Sequence, residues 1–313
     1  MNRREFLQQS AACAALPVAA PAKIQAIDTH THFYDPTRPQ GVPWPQPAET
    51  LLYRPYYPKE FVALTIPLGV VGTIVVEASP WVEDNQWILD LAKDNPSIVG
   101  FIGNLKLGEA AFASNLQRFT RNALFRGLRI GKRAIAEGLG QRVFESDLQR
   151  LGEQRLTIDA IGGPALLPNV VRVTKLAPKL KIVIDHLPFG AWDNDVGAMR
   201  AALTEVAALP NVYAKVSNVV RRVNDRIVED LAFYRPHLNC LWEMFGADRL
   251  VYGSNWPVSE RVAPYTTVHR IVAEYFKAKG LGAAEKYFWQ NSLQAYGWQR
   301  RGASKILGRT LGK

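Results

Sequence analysis

Two of the chain's five histidines, His30 and His32, close the apolar run 24–32. Strand side chains alternate faces, so Asp28, His30 and His32 are expected on one face, with the two imidazoles about 6–7 Å apart. Neutral imidazole is both a common metal ligand and a proton carrier near neutrality, so such a pair suits either chemistry. One ring hydrogen-bonded in a core and the other solvated would give the same spacing. The pair therefore takes its meaning from what the rest of the chain brings to it.

Short β-branched runs recur at 72–77, 98–105, 126–130, 155–160, 180–186, 211–216 and 249–253, which with 24–32 makes eight. Amphipathic, helix-like segments such as 82–94, 143–154, 168–175 and 196–209 lie between them. Alternating strand and helix eight times predicts an α/β fold, a (β/α)8 TIM barrel. An open doubly wound sheet is the competing architecture, but no Gly-rich turn follows the first run, where a nucleotide site would begin. The rhythm breaks at 35–58, where seven prolines (Pro36, Pro39, Pro43, Pro45, Pro47, Pro55 and Pro58) and the aromatics Trp44, Tyr53, Tyr56 and Tyr57 predict a stiff, irregular loop. Hanging from the end of the first strand, it would overhang the barrel mouth.

Barrel active sites gather at the carboxyl ends of the strands. There the sequence places His30 and His32 (first), Glu77 (second), Arg129 (fourth), Asp159 (fifth), His186 (sixth), Lys215 (seventh) and Asn255 (after the eighth). Polar residues are common where loops begin, so each alone says little; their convergence on one rim is the informative feature. Trp44, Tyr53, Trp81 and Trp256 are candidates to stack on a ring-shaped substrate, with packing as the other use of such rings, and Lys215 is a candidate substrate contact. His237 and His269 fall within helix-like segments and read as structural or surface residues.

The first 22 residues read as an address. Arg3-Arg4 with Phe6-Leu7 behind it, a small-residue apolar stretch from Ala11 to Val18 and Ala20-Pro21-Ala22 fit a twin-arginine signal peptide with a cleavage site. The expectation is export by the twin-arginine machinery to the periplasm or beyond, with residues 23–299 forming one domain and 300–313 a basic tail. No segment approaches the roughly 20 apolar residues of a membrane span. Only Cys240 would survive cleavage, so no internal disulfide is possible. The net charge of +10 includes +5 from the tail (Arg300, Arg301, Lys305, Arg309, Lys313) and +1 from the leader. The domain's remaining +4 is an ordinary surface without a nucleic-acid module, and the tail reads as a solvated extension.

Taken in order, His30-Thr31-His32, Gly127-Leu128-Arg129, Ile184-Asp185-His186-Leu187, Lys215-Val216-Ser217 and Tyr252-Gly253-Ser254-Asn255-Trp256-Pro257 resemble the amidohydrolase-related proteins. The similarity is to the branch of sugar-acid lactonases (fuconolactonase-like) and pyrone dicarboxylate lactonases, and it runs from Ile24 to Trp298, with Asn291 and Tyr296-Gly297 matching the closing helix. The resemblance implies a small-molecule hydrolase. In the wider superfamily the paired histidines hold a divalent metal, usually zinc, which His186 joins or whose water it contacts. In some lactonases of this branch, histidines and arginine polarise the carbonyl without metal. Arg129 would meet an oxyanion or a substrate carboxylate.

The chain departs from that pattern at Asn255, where the family ordinarily has the aspartate that activates water. An amide cannot take a proton from water. Three accounts remain open. Another group is the base, Glu77, Asp159 or a histidine; or a single metal on His30, His32 and His186 or Glu77 generates hydroxide itself; or the site binds without turnover. The expectation is an exported hydrolase of a small lactone or cyclic ester, of sugar-acid or aromatic-catabolite type, with one divalent metal, zinc, as an optional cofactor. A non-catalytic binder of small carboxylates and a metal-dependent decarboxylase are the alternatives.

Overall fold

The computed structural model describes residues 24–188 and 195–307. The proposed leader and the last tail residues, with Arg309 and Lys313, lie outside the described residues. Eight parallel strands form one sheet in the order β1 (Ala26–Thr31), β2 (Val70–Val76), β3 (Ile98–Gly103), β4 (Phe125–Gly131), β5 (Thr157–Ile161), β6 (Lys181–Leu187), β7 (Val212–Val216) and β10 (Leu250–Tyr252). A short antiparallel hairpin, β8 (Arg222–Val223) with β9 (Arg226–Ile227), follows β7 and stands apart from that sheet. The sheet curls back on itself. Asn255 N–H donates to His30 O at 2.9 Å and His32 N–H to Trp256 O at 2.9 Å, joining the last strand's continuation to the first. The expected (β/α)8 TIM barrel is what the chain forms.

Helices α1 (Pro58–Thr65), α2 (Val82–Asp94), α3 (Phe112–Thr120), α4 (Lys132–Gly138), α5 (Arg142–Glu153), α6 (Leu167–Leu176), α7 (Val196–Ala207), α8 (Leu231–Phe245) and α9 (Tyr265–Ala278) fill the connections. Strands covered by helices on one side and closed on themselves on the other are buried on both faces. They accordingly carry unbroken apolar runs such as Ile98–Gly103 in place of an alternating pattern. Where β4 and β5 meet there is no room for a side chain: a Cβ at Gly127 would sit 1.9 Å from the Thr157 carbonyl oxygen. At the base, α10 (Leu281–Glu285), a π-helical stretch (Lys286–Gln290) and α11 (Asn291–Tyr296) plug the barrel, and Asn291 Nδ2 donates to Ala247 O and Leu250 O, both at 2.8 Å.

Three local expectations are corrected. Pro58 belongs to a helix rather than to the loop: it opens α1, where its missing N–H costs nothing. Asp28 does not share a face with the histidines, because the register of β1 against β2 slips between Asp28 and Thr31. Its carboxylate instead accepts from Ser254 N at 2.9 Å and from the Tyr265 hydroxyl at 3.0 Å. The described part of the tail, 300–307, is not simply solvated. Arg301 donates to Ile98 O and Ala92 O, Arg300 lies over Trp289 and Trp298, and Leu307 is buried.

The Pro-rich loop is irregular as expected and is pinned at several points. Tyr34 and Tyr56 pair backbone to backbone across its neck. The Arg38 guanidinium meets Asp84 on α2 at 2.9 Å and lies over Trp87, while Glu49 pairs with Arg261. This brings Trp44 to 6.1 Å from the His32 ring, centroid to centroid.

Candidate active site

Beneath the barrel mouth lies a group of charges closed off from water. Lys215, on β7, reaches inward to Asp159 on β5 and to Asp185 on β6, the latter at 2.9 Å, and its ammonium comes within 3.2 Å of His30 Nδ1. Lys215, Asp159 and His30 are 0% exposed and Asp185 only 1%. A carboxylate or ammonium buried alone would cost several kcal/mol, so such groups persist only in mutual contact. Burial pushes the Asp159 carboxyl up to about 7 against the pull of Lys215, and the Tyr296 hydroxyl donates to it at 2.7 Å. For Asp185 burial pushes the same way, but the Lys215 charge overcomes it and holds the carboxyl well below the usual range. Arg129 extends the chain of charges outward, its Nε 3.5 Å from Asp185 and its Nη1 3.8 Å from Glu77.

Gly253 makes this packing possible. A Cβ there would press on the His30 Cβ at 3.0 Å and on the Lys215 side chain at 3.2 Å. The two strands that bracket the chain, β1 and β10, thereby hold His30 directly beside Lys215.

Above these charges opens a cavity of about 510 Å³, and His32, Trp44, Glu77, Arg129, His186, Asn218 and Asn255 stand on its wall. Glu77 is the sole carboxylate among the described residues that line it. Its carboxyl is raised by burial, an effect that the Arg129 charge and the Ser79 N–H partly offset. His186 and Asn255 hold positive φ angles of 63° and 61°. Such backbone is uncommon outside glycine and is most readily taken by Asn, Asp and His, so two site residues sit where the backbone itself narrows the choice of side chain.

Burial favours the neutral form of all three histidines. Burial lowers His32 to about 3 and His186 to about 4, and takes His30 well below its ordinary value. The rings gather closely, with centroids 5.0 Å apart for His30 and His32 and 4.6 Å for His30 and His186. His32 Nδ1 lies 2.9 Å from Val76 O, and a carbonyl can only accept, so Nδ1 carries the proton and Nε2 presents a lone pair. That lone pair faces Asn255 Oδ1 at 3.2 Å, because the Asn255 amide donates to Asn218 Oδ1 at 2.8 Å. His30 Nε2 is buried with no hydrogen-bond partner. Facing lone pairs beside an orphaned imidazole nitrogen suit a cation. Turning both amides over, so that Asn255 donates to His32, satisfies the same pair without one. His30, Asp185 and His186 also bring potential ligand atoms within 4.8 Å of one another.

Most of the residues singled out from sequence meet here, though not all at the cavity. His32, His186, Glu77, Arg129, Asn255 and Trp44 line it, and His30 lies directly behind. Asp159 and Lys215 are on the correct strands but beneath the floor, each fully engaged, which removes Asp159 as a base toward bound water and Lys215 as a substrate contact. Trp256 is 1% exposed and packs edge-on against Phe33 and Tyr56 while donating to Glu260, so it does not stack on a ligand. Tyr53 and Trp81 are partly exposed and stand away from the cavity wall. His269 is buried among Tyr252, Tyr265 and Phe288, a structural residue as expected. Asp185 and Asn218 were not singled out. A lone carboxylate in the apolar run 180–186 was a usable signal for Asp185, whereas nothing in the sequence distinguishes Asn218 from any loop amide.

The amidohydrolase family profile matches residues 27–298. An L-fucono-1,5-lactonase of Burkholderia ambifaria is 30% identical over 238 residues, 74% of this chain and 80% of that protein. An L-fucono-1,5-lactonase of Burkholderia multivorans is 28% identical over 275 residues, 83% of this chain and 91% of that one. A crystal structure of a Burkholderia multivorans amidohydrolase with bound zinc superposes with a TM-score of 0.78 at 24% identity, over 88% of this chain and 99% of that chain, a likeness of fold. With a family match that spans the whole barrel and brackets every residue of the cavity wall, the chain belongs to the amidohydrolase family and is a hydrolase of that superfamily.

Proposed function

We propose that the protein hydrolyses a small lactone or related cyclic ester, of an oxidised sugar or an aromatic breakdown product, by attack of water on the ring carbonyl. The observation that carries this reading is the position of Glu77, the one carboxylate among the described residues of a cavity wall that otherwise presents imidazoles, amides and a guanidinium. In the proposed reaction Glu77 takes the proton of the attacking water, and the new C–O bond places negative charge on the former carbonyl oxygen. Arg129 is held between Asp185 and Glu77, so its fork is oriented before substrate arrives and needs no rearrangement to meet that charge. The ring C–O bond then breaks and the proton passes to the leaving alkoxide, giving the open hydroxy acid. The two Burkholderia relatives named as lactonases support the substrate class.

The residues present also fit one divalent metal, on the evidence of the unpartnered His30 Nε2 and the lone pairs of His32 Nε2 and Asn255 Oδ1. His30, His32 and Asn255 would hold it, with His186 as a further donor and Asp185 behind His30 fixing that ring. When bound, such a metal polarises a carbonyl and lowers the pKa of bound water to about 7. The zinc in the Burkholderia multivorans structure supports this choice of ion.

Export belongs to the same proposal, carried by Arg3-Arg4 and the apolar stretch behind them. Changing both arginines to lysine is expected to hold the protein in the cytoplasm of a bacterial host; an unchanged distribution between fractions would end the export reading.

Glu77→Gln is expected to lower kcat on a hydrolysed lactone by about 10²–10⁴-fold with the fold intact by circular dichroism. A base works deprotonated and burial raises this one, so wild-type rates should fall as pH drops through a point above the ordinary carboxylate range, and the variant should lose that limb. A Glu77→Gln enzyme at full rate would remove Glu77 from the mechanism. Asn255→Asp keeps a residue type suited to the left-handed backbone, and with Glu77 as base it should change kcat by less than about tenfold. A gain of two orders of magnitude would instead show that the natural protein lacks its base. Elemental analysis of the purified protein should return about one divalent metal per chain, reduced in His30→Ala. A metal-free protein with full activity would select the turned-over amide pair and carbonyl polarisation by Arg129 and the histidines alone.

A further inference from the structure

The catalytic cavity has a neighbour. A second hollow of about 480 Å³ borders it along His186, Asn218 and Val258, which line both. Its wall differs in kind: Pro164, Pro188, Val219, Val220, Val262 and Val268 supply an apolar surface. Among the described residues, the charged groups at its edge are already occupied. The Arg221 guanidinium donates to the carbonyls of Val219 and Val220, and Arg261 pairs with Glu49. One polar atom lies just beneath this wall, where a turn of its side chain would present it to the hollow. Ser259 is 5% exposed, and its buried hydroxyl has no hydrogen-bond partner.

A buried hydroxyl left unpaired costs about as much as a lost hydrogen bond, and a concave apolar wall gains by excluding water. Both deficits are met by one kind of group, an uncharged apolar substituent of about the size of an aryl ring that bears a hydroxyl or ether oxygen. We propose that the second hollow is a substituent subsite. The substrate is then a lactone whose ring lies against Arg129, Glu77 and His32 and which carries an aryl-sized apolar arm past His186 and Val258 to the Ser259 hydroxyl. A bare polyhydroxy sugar lactone would leave this wall wet. An anionic arm would find both arginines engaged. The inference rests on the lactonase reading and narrows its substrate class.

The test is calorimetric binding of δ-valerolactam, its 6-phenyl derivative and its 6-(4-hydroxyphenyl) derivative to the full protein, which requires no turnover. The phenyl compound should bind at least about tenfold tighter than the parent, from the apolar area it buries. The hydroxyphenyl compound should bind tighter still, and Ser259→Ala should cost it about threefold to tenfold more than it costs the phenyl compound. Val262→Phe fills the hollow and should reduce the phenyl-to-parent ratio to near one, and the smaller Val262→Leu should reduce it part of the way. Equal affinities for parent and phenyl compounds, or a ratio indifferent to both Val262 variants, would overturn the subsite. Rates on the matching lactones separate the two claims. Hydrolysis without preference for the arm would sink the subsite alone, whereas the expected binding order without hydrolysis of any lactone would sink the lactonase reading alone.

Discussion

The arrangement of the mouth depends on an ammonium group that water never reaches. Lys215 is buried between Asp159 and Asp185, and each of those carboxylates is anchored in turn, the first by Tyr296 from the plug and the second by Arg129 from the rim. A charge in this position stabilises little on its own, since desolvation offsets most of the attraction. Its consequence is geometric, because every member must stay where the others can reach it. Five strands, β1 and β4 to β7, and the closing helix are tied through their side chains to one point. Arg129 and His30 inherit their orientation from it, and the cavity inherits its floor.

This division into floor and wall explains what the sequence could and could not disclose. Strand ends were legible because fully buried parallel strands leave uninterrupted apolar runs, and the polar residue at each end stands out against them. That was enough to name the strands whose residues meet. It could not say how deep each side chain lies. Asp159 and Lys215 lie within β5 and β7 and point at each other below the cavity, while Glu77 stands just past the end of β2 and faces into it. Depth depends on partners contributed by distant strands, and no local pattern encodes that. Asp28 shows the same limit on a smaller scale, since with one slip of register its carboxylate meets the His30 backbone N–H and not the ring's face of the strand. Trp256 shows it for aromatic residues. A tryptophan beside a catalytic position reads like a stacking platform, and the ring is instead enclosed by Phe33, Tyr56 and Phe61 from the loop and first helix.

Asn255 stands where the sequence resemblance leads to an aspartate, and its surroundings accommodate the amide. The structural role at this position falls to the backbone and not to the side chain, since its N–H closes the barrel onto His30 O. The left-handed conformation admits either residue. Asn218, itself at a positive φ, meets the amide with its own, so the replacement is hydrogen-bonded and not merely tolerated. A scaffold whose closure is written in main-chain atoms can change the acid–base character of its rim without risk to its shape.

The seam between the first and last barrel strands also sets a schedule. His30 and Asn255 are separated by most of the polypeptide, yet they touch through backbone and enclose one space. Local helices can form while synthesis is under way, but contacts of such long sequence separation come late. A ribosome-bound fragment that stops short of the eighth strand has both histidines and no pocket. Catalytic competence therefore arrives in one step, when the C-terminal segment takes its place, and the cell meets no half-built enzyme able to act on its substrate.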